Sequence, residues 1–120
     1  MLHEDITEKI LAAAFAVIHE LGAGFLESVY ECAMGIALTD MKLSISTQVP
    51  LQVTFRQRVV GNYIADMIVD GKVLVELKAV KTLMPEHQAQ VINYLKATNI
   101  EIGLLINFGG PKLEYKRLHK

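Results

Sequence analysis

From Ile6 onward the apolar residues Ile6, Ile10, Ala13, Ala14, Val17 and Leu21 recur at helical spacing, which predicts a helix with one buried stripe. Asp5 followed by Glu8 resembles a capping box at its start, and Gly22 and Gly24 close it. A second helix reads from about Leu26 to Met41, with Leu26, Val29, Ala33 and Ala37 as its apolar side and Glu27 in its first turn. At Ser44 the pattern changes. Ile45 to Phe55, Val59 to Val69 and Lys72 to Val80 are rich in β-branched residues and separated by polar or Gly-containing turns, which predicts three consecutive strands. Pro85 is suited to open a third helix, because its missing donor would be unpaired there in any case. That helix carries Ala89, Ile92 and Leu95 as its apolar side and ends at Asn99. The nearly continuous apolar run Ile102 to Phe108 is typical of a central strand, Gly109, Gly110 and Pro111 make a turn, and Leu113 to Leu118 reads as a last strand. The predicted order is ααβββαββ, an α/β chain read as one domain over residues 1–120 with no repeat or linker.

Composition agrees with a folded core, since 52% of the 120 residues are hydrophobic and 21% are charged. The lone cysteine, Cys32, has no internal disulfide partner. Met1 is followed by acidic residues and not by a basic start and apolar run, and polar residues interrupt Ile10 to Ile18 too early for a membrane span, so the cytoplasm is the expected compartment. Charge changes the picture more. A protein that grips nucleic acid through its phosphates usually shows a basic excess, and the formal net charge here is −1, so tight unaided binding is not expected. The cations are nonetheless clustered, with Arg56 and Arg58 in one place and Lys112, Lys116, Arg117 and Lys120 in the tail, while the first helix begins with Glu4, Asp5 and Glu8.

The candidate chemistry lies on the second and third strands. Glu76 and Lys78 stand two apart in Val73-Leu74-Val75-Glu76-Leu77-Lys78, so on a strand they share a face. Asp66 interrupts the preceding apolar run, and the turn at Asp70-Gly71 is able to bring it beside Glu76. A Glu-x-Lys pair by itself also fits a salt bridge on a solvated sheet. The flanking residues here are so apolar that the strand reads as buried on both faces, where an unpaired charge is costly and a site explains it better. Two carboxylates held together repel unless they are protonated or bind a cation, and oxygen ligands suit Mg²⁺ or Mn²⁺. Register sets a condition on this arrangement. A plain two-residue Asp70-Gly71 loop would pair Val69 with Lys72 and leave Val75, not Glu76, on the face of Asp66. A three-residue connection with Gly71 left-handed, or a bulge between the two acids, is therefore expected.

The spacing Asp66, Glu76-x-Lys78 resembles the core of the PD-(D/E)XK nucleases, and Gln90-Val91-Ile92-Asn93-Tyr94 is similar to the Q-x-x-x-Y motif of their RecB-like and lambda-exonuclease-like branch. The stretch Gly24-Phe25-Leu26-Glu27-Ser28-Val29-Tyr30 further resembles the signature of the GxxExxY proteins, a small bacterial family grouped with these nucleases. The resemblance implies a restriction-endonuclease-like mixed central sheet flanked by helices. It implies Asp66 and Glu76 as metal ligands, Lys78 as the residue assisting the attacking water, and Glu27 as a helical acid at the metal or its waters. Gln90 and Tyr94, four apart on one helix face, and Tyr30 would position substrate. Ala65 stands where the superfamily's name expects Pro. For Tyr30 and Tyr94, core packing with a satisfied hydroxyl fits as well. His87, one turn before Gln90, reads as second to the site or as a surface histidine.

The function implied is Mg²⁺- or Mn²⁺-dependent hydrolysis of phosphodiesters in nucleic acid, DNA ahead of RNA, held weakly by the chain alone. The competing reading is a nuclease-fold binding or assembly module without turnover, acting with a partner or as a homo-oligomer, because fold does not settle function. A small-molecule phosphodiesterase is the third.

Overall fold

The computed structural model describes residues 1–120. Helices α1 (Glu4–Leu21) and α2 (Glu27–Asp40) precede strands β1 (Ile45–Phe55), β2 (Arg58–Val69) and β3 (Val73–Lys78), followed by helix α3 (Pro85–Thr98) and strands β4 (Ile102–Asn107) and β5 (Glu114–His119). The strands form one five-stranded sheet in the order β1-β2-β3-β4-β5, antiparallel except for the parallel pair β3–β4, which α3 connects. The element order is the expected one. No helix is long and apolar enough to cross a membrane.

Two apolar clusters sandwich the sheet. The larger joins Ile10, Ala14 and Val17 of α1 and Tyr30, Met34 and Leu38 of α2 to Met67, Val75, Leu77, Leu104 and Ile106. The smaller joins Val91, Tyr94 and Leu95 of α3 to Leu51, Ala65, Leu74 and Leu105. β3 and β4 lie between these clusters and are buried along nearly their whole length, which is why their sequences read as continuous apolar runs and not as alternation.

Helix faces depart from the sequence pattern in informative ways. In α2 the buried stripe is Tyr30, Met34 and Leu38; Leu26 is 77% exposed because it precedes the first turn, and Ala33 and Ala37 only flank the core. In α3 the buried side is Val91, Tyr94 and Leu95, whereas Ala89 is exposed and Ile92 half-buried. The cause lies in β4: a Cβ at Gly103 would stand 2.9 Å from Val91 Cγ1 and 3.3 Å from Leu95 Cδ2, so the missing side chain lets this face of α3 settle onto the sheet. Leu21 is likewise largely exposed. The capping box expected at Asp5 is absent. α1 instead starts at Glu4 behind left-handed His3, with Glu4 and Asp5 placed favourably against the helix dipole. His87 has a structural task, its Nδ1 accepting the Met84 N–H at 2.9 Å to cap α3.

The connection between β2 and β3 meets the register condition. Val69 pairs with Val73, so the loop is Asp70-Gly71-Lys72, with Asp70 at φ 52° and Gly71 at φ 65°. Continuing the register of Met67 with Val75 by one residue sets Asp66 opposite Glu76. Beyond that point β2 and β1 leave β3 and continue as a two-stranded ribbon to a tight turn at Arg56 and Gln57.

Candidate active site

Backbone pairing between β2 and β3 stops at Met67, and the two carboxylates take over its role. The Asp66 N–H donates to Glu76 Oε1 at 2.9 Å, and the Leu77 N–H donates to Asp66 Oδ2 at 2.8 Å. Each acid thus occupies the ladder position of the opposite strand, which holds both side chains in a fixed place where the sheet splits. β1 is irregular at the same level. Gln48, opposite Asp66 by the register of the flanking pairs, has φ 51°, and its amide donates to the Glu31 carboxylate of α2 at 2.8 and 3.1 Å.

Glu76 is only 4% exposed. Burial pushes its carboxyl up to about 8, the neighbouring Asp66 charge adds to the rise, and the Asp66 N–H and Lys78 oppose it. The side chain of Asp66 works in the same upward direction, so Glu76 holds its proton to well above the usual carboxylate range. Glu27, in the first turn of α2, is raised by desolvation; Lys78 lowers it, Asp66 raises it, and the Ala79 N–H favours its charged form. Lys78 is half-buried at the end of β3 and acts on both Glu76 and Glu27.

The donor set suits a hard divalent cation. Mg²⁺ takes one or two carboxylates from a protein and leaves its other positions to water and phosphate, and here two carboxyls stand together, that of Glu76 buried and raised, where a cation would favour its charged form. No three His, Cys, Asp or Glu side chains close into a metal-binding group, and Glu27 lies near enough to feel the charges of Lys78 and Asp66.

Tyr94 is 6% exposed, and its hydroxyl accepts from Gln90 Nε2 at 3.2 Å. It belongs to the cluster containing Ala65, next to Asp66 in sequence, and Leu74, two residues before Glu76. Burial raises its phenol above the usual range, with Glu76 and Tyr63 as the next causes. Tyr30 is differently placed. Its ring is fully buried and stacks on Phe108 at 4.6 Å, while its hydroxyl donates to Gly22 O at 2.6 Å and accepts from the Phe25 N–H at 3.3 Å. It ties down the turn that delivers Glu27.

Two further contributors escaped the sequence reading. Asn107 is fully buried; its Oδ1 accepts the N–H groups of Val80 at 2.9 Å and Gly109 at 3.1 Å, and its Nδ2 donates to Val80 O at 2.8 Å and Glu114 Oε1 at 2.9 Å. This clamp holds the chain just after Lys78, and the available signal was one polar residue closing the apolar run Ile102–Ile106. Tyr63, with its ring 5.7 Å from that of Tyr94, gave no sequence signal beyond being aromatic on a strand.

The sequence profile of the PD-(D/E)XK nuclease superfamily matches residues 4–118. The chain belongs to this superfamily. Nucleases of the superfamily generally use divalent metals and act on nucleic acid. Among solved structures, the crystal structure of SSO0001 superposes with a TM-score of 0.63 at 17% sequence identity, over 78% of this chain and 49% of that one. At this identity the likeness concerns the fold, and it supports the restriction-endonuclease-like architecture of the PD-(D/E)XK proteins. The chain spans about half the length of that protein. No curated protein matches the sequence.

Proposed function

We propose that this PD-(D/E)XK protein is a metal-dependent nuclease of the GxxExxY group within the RecB-like branch, a single cytoplasmic domain that hydrolyses phosphodiesters in DNA. The observation that carries the reading is the pair Asp66–Glu76 at the split between β2 and β3, each carboxylate fixed by a backbone N–H of the opposite strand and joined to Lys78 two residues on. Asp66 and Glu76 would hold Mg²⁺ or Mn²⁺, which when bound polarises a phosphate and lowers the pKa of a bound water. The protein's own groups do the rest. Glu76 gives up its proton as the site fills, since a ligand carboxylate must be ionised. Lys78 orients the attacking water or stabilises charge on the phosphate, and Glu27 accepts hydrogen bonds from water on the α2 side. Gln90 and Tyr94 position the strand, and Tyr30 acts through the turn before Glu27.

The formal net charge of −1 favours the second reading, a nuclease-fold module that works with a partner or as a homo-oligomer. Cleavage of plasmid and oligonucleotide substrates with Mg²⁺ or Mn²⁺, set against a chelated control and the Asp66→Asn variant, separates the two. Metal-dependent cleavage abolished by Asp66→Asn is expected. Equal residual activity in wild type and variant would assign that activity to a contaminant and leave the binding module as the better account.

A further inference from the structure

The β1–β2 ribbon is the least explained part of the molecule. It extends past β3, and isolated two-stranded ribbons are marginal in water. Yet it exposes Phe55, Val59, Val60, Tyr63 and Ile64. From Ile45 to Ala65 its only charged residues are Arg56 and Arg58, in a chain of net charge −1. Neither forms an ion pair, whereas in the tail Lys120 pairs with Glu101 and Arg117 donates to Leu2 O. The tip is also unusual in its backbone. Phe55 pairs with Arg58 across two residues, Arg56 at φ 49° and Gln57 at φ 68°, positions where Asn or Gly fit without strain. An arginine stands at a position whose geometry disfavours it, and Arg56 lies over the Phe55 ring, 4.9 Å from its centroid.

Between this tip and the acid pair lie two clefts of about 650 and 780 Å³ that share Thr54, Tyr63 and Ala97, so the Tyr63 ring is the aromatic surface common to both. The first reaches Gln90 and Tyr94, the helix residues beside the acid pair, and is walled by Val53 with Asn93 offering an amide. Glu86 and Lys96 stand at it with opposite charge, so the cleft has no net field that would hold a phosphate. The second cleft runs along the ribbon past Gln52 and Asn62. Tyr63 is half exposed, and its ring lies over Gly61, where a Cβ would meet Cε2 at 2.9 Å. An aromatic face between two clefts of nucleoside size, amide groups at their walls and unpaired arginines beyond them suit successive bases of an unpaired strand with its phosphates outside.

We propose that the ribbon grips single-stranded nucleic acid, with Tyr63 stacking against a base and Arg56 and Arg58 holding backbone phosphates, which makes the substrate an unpaired strand and not intact duplex. A base inside a duplex would have to leave the stack to enter either cleft. This deepens the nuclease reading and rests on it for the class of ligand. The test measures binding in EDTA, where metal-dependent cleavage does not interfere, by fluorescence anisotropy of labelled oligothymidylate and oligouridylate of about 12 nucleotides and a duplex of equal length. Either single strand should bind more tightly than the duplex. Tyr63→Ala should weaken that binding roughly tenfold or more, while Tyr63→Phe keeps the stacking face and the affinity. Replacing both Arg56 and Arg58 with Ala should reduce the slope of log K against log salt by about 1.4 for the two lost phosphate contacts. Equal affinity of Tyr63→Ala and Tyr63→Phe, or preference for duplex, overturns the proposal even if metal-dependent cleavage is present. Binding that follows Tyr63 and the arginines in a protein that never cleaves upholds it and removes the nuclease reading alone.

Discussion

Replacing Glu76 with Gln isolates the proton held by its buried carboxyl. The folded protein carries that carboxyl at about 8 against an ordinary value of 4.5, with burial and then Asp66 as the causes. Because the folded pKa is raised, the folded state binds more protons than the unfolded one between these values, and stability falls as pH rises through the window. The contribution is fully present below about 4.5 and is lost as pH climbs through about 8. One proton gives a slope of at most about 1.4 kcal/mol per pH unit, so the loss amounts to a few kcal/mol, a large part of the 5–15 kcal/mol that holds a typical domain together. Gln keeps an oxygen for the Asp66 N–H, yet it does not titrate. Urea unfolding in EDTA at pH 5, 7 and 9 should therefore show wild type losing stability relative to Glu76→Gln as pH rises. Mg²⁺ at a hundred times its dissociation constant should restore about 2.7 kcal/mol to wild type and little to the variant. Parallel stability profiles for the two proteins across this range in EDTA would refute the raised carboxyl of Glu76 and the crowding of charge that underlies the metal site.

Lys78→Ala leaves both carboxylates in place, so the rise in Tm with Mg²⁺ should survive while metal-dependent cleavage of a single-stranded oligonucleotide falls by at least a hundredfold, on the order of the contribution of a positioned proton-transfer group. Asn107→Ala strands the Val80 N–H and C=O that its amide now satisfies, and urea denaturation should show a loss of about 2–4 kcal/mol. Tyr30→Phe keeps the stack on Phe108 and loses only the bonds to Gly22 O and the Phe25 N–H, so it should cost about 1 kcal/mol by the same measurement.

Local pattern carried the element order and the chemistry on β3 because those signals are local. Continuous apolar runs at Val73–Lys78 and Ile102–Asn107 could be buried on both faces only in a covered sheet, and a Glu and a Lys two apart on such a strand needed a reason to be there. The period-two geometry of strands even narrowed the connection to a three-residue loop or a bulge, since a one-residue slip would have put Asp66 and Glu76 on opposite faces, and the loop Asp70-Gly71-Lys72 is the one found. Tertiary structure decided the rest. Two apolar stripes ran side by side on α2, and contact with α1 and the sheet selected Tyr30, Met34 and Leu38. On α3 the absent side chain of Gly103, five residues beyond the helix end, chose Val91 and Leu95. The exchange of ladder bonds for the carboxylates of Asp66 and Glu76 depends on where β2 leaves β3, and the Asn107 clamp and the clefts that Tyr63 lines depend on segments distant in the chain. Spacing along a sequence records which side chains share a face, whereas the depth of burial that shifts Glu76 and the neighbours that meet it are set by the packing of elements against one another.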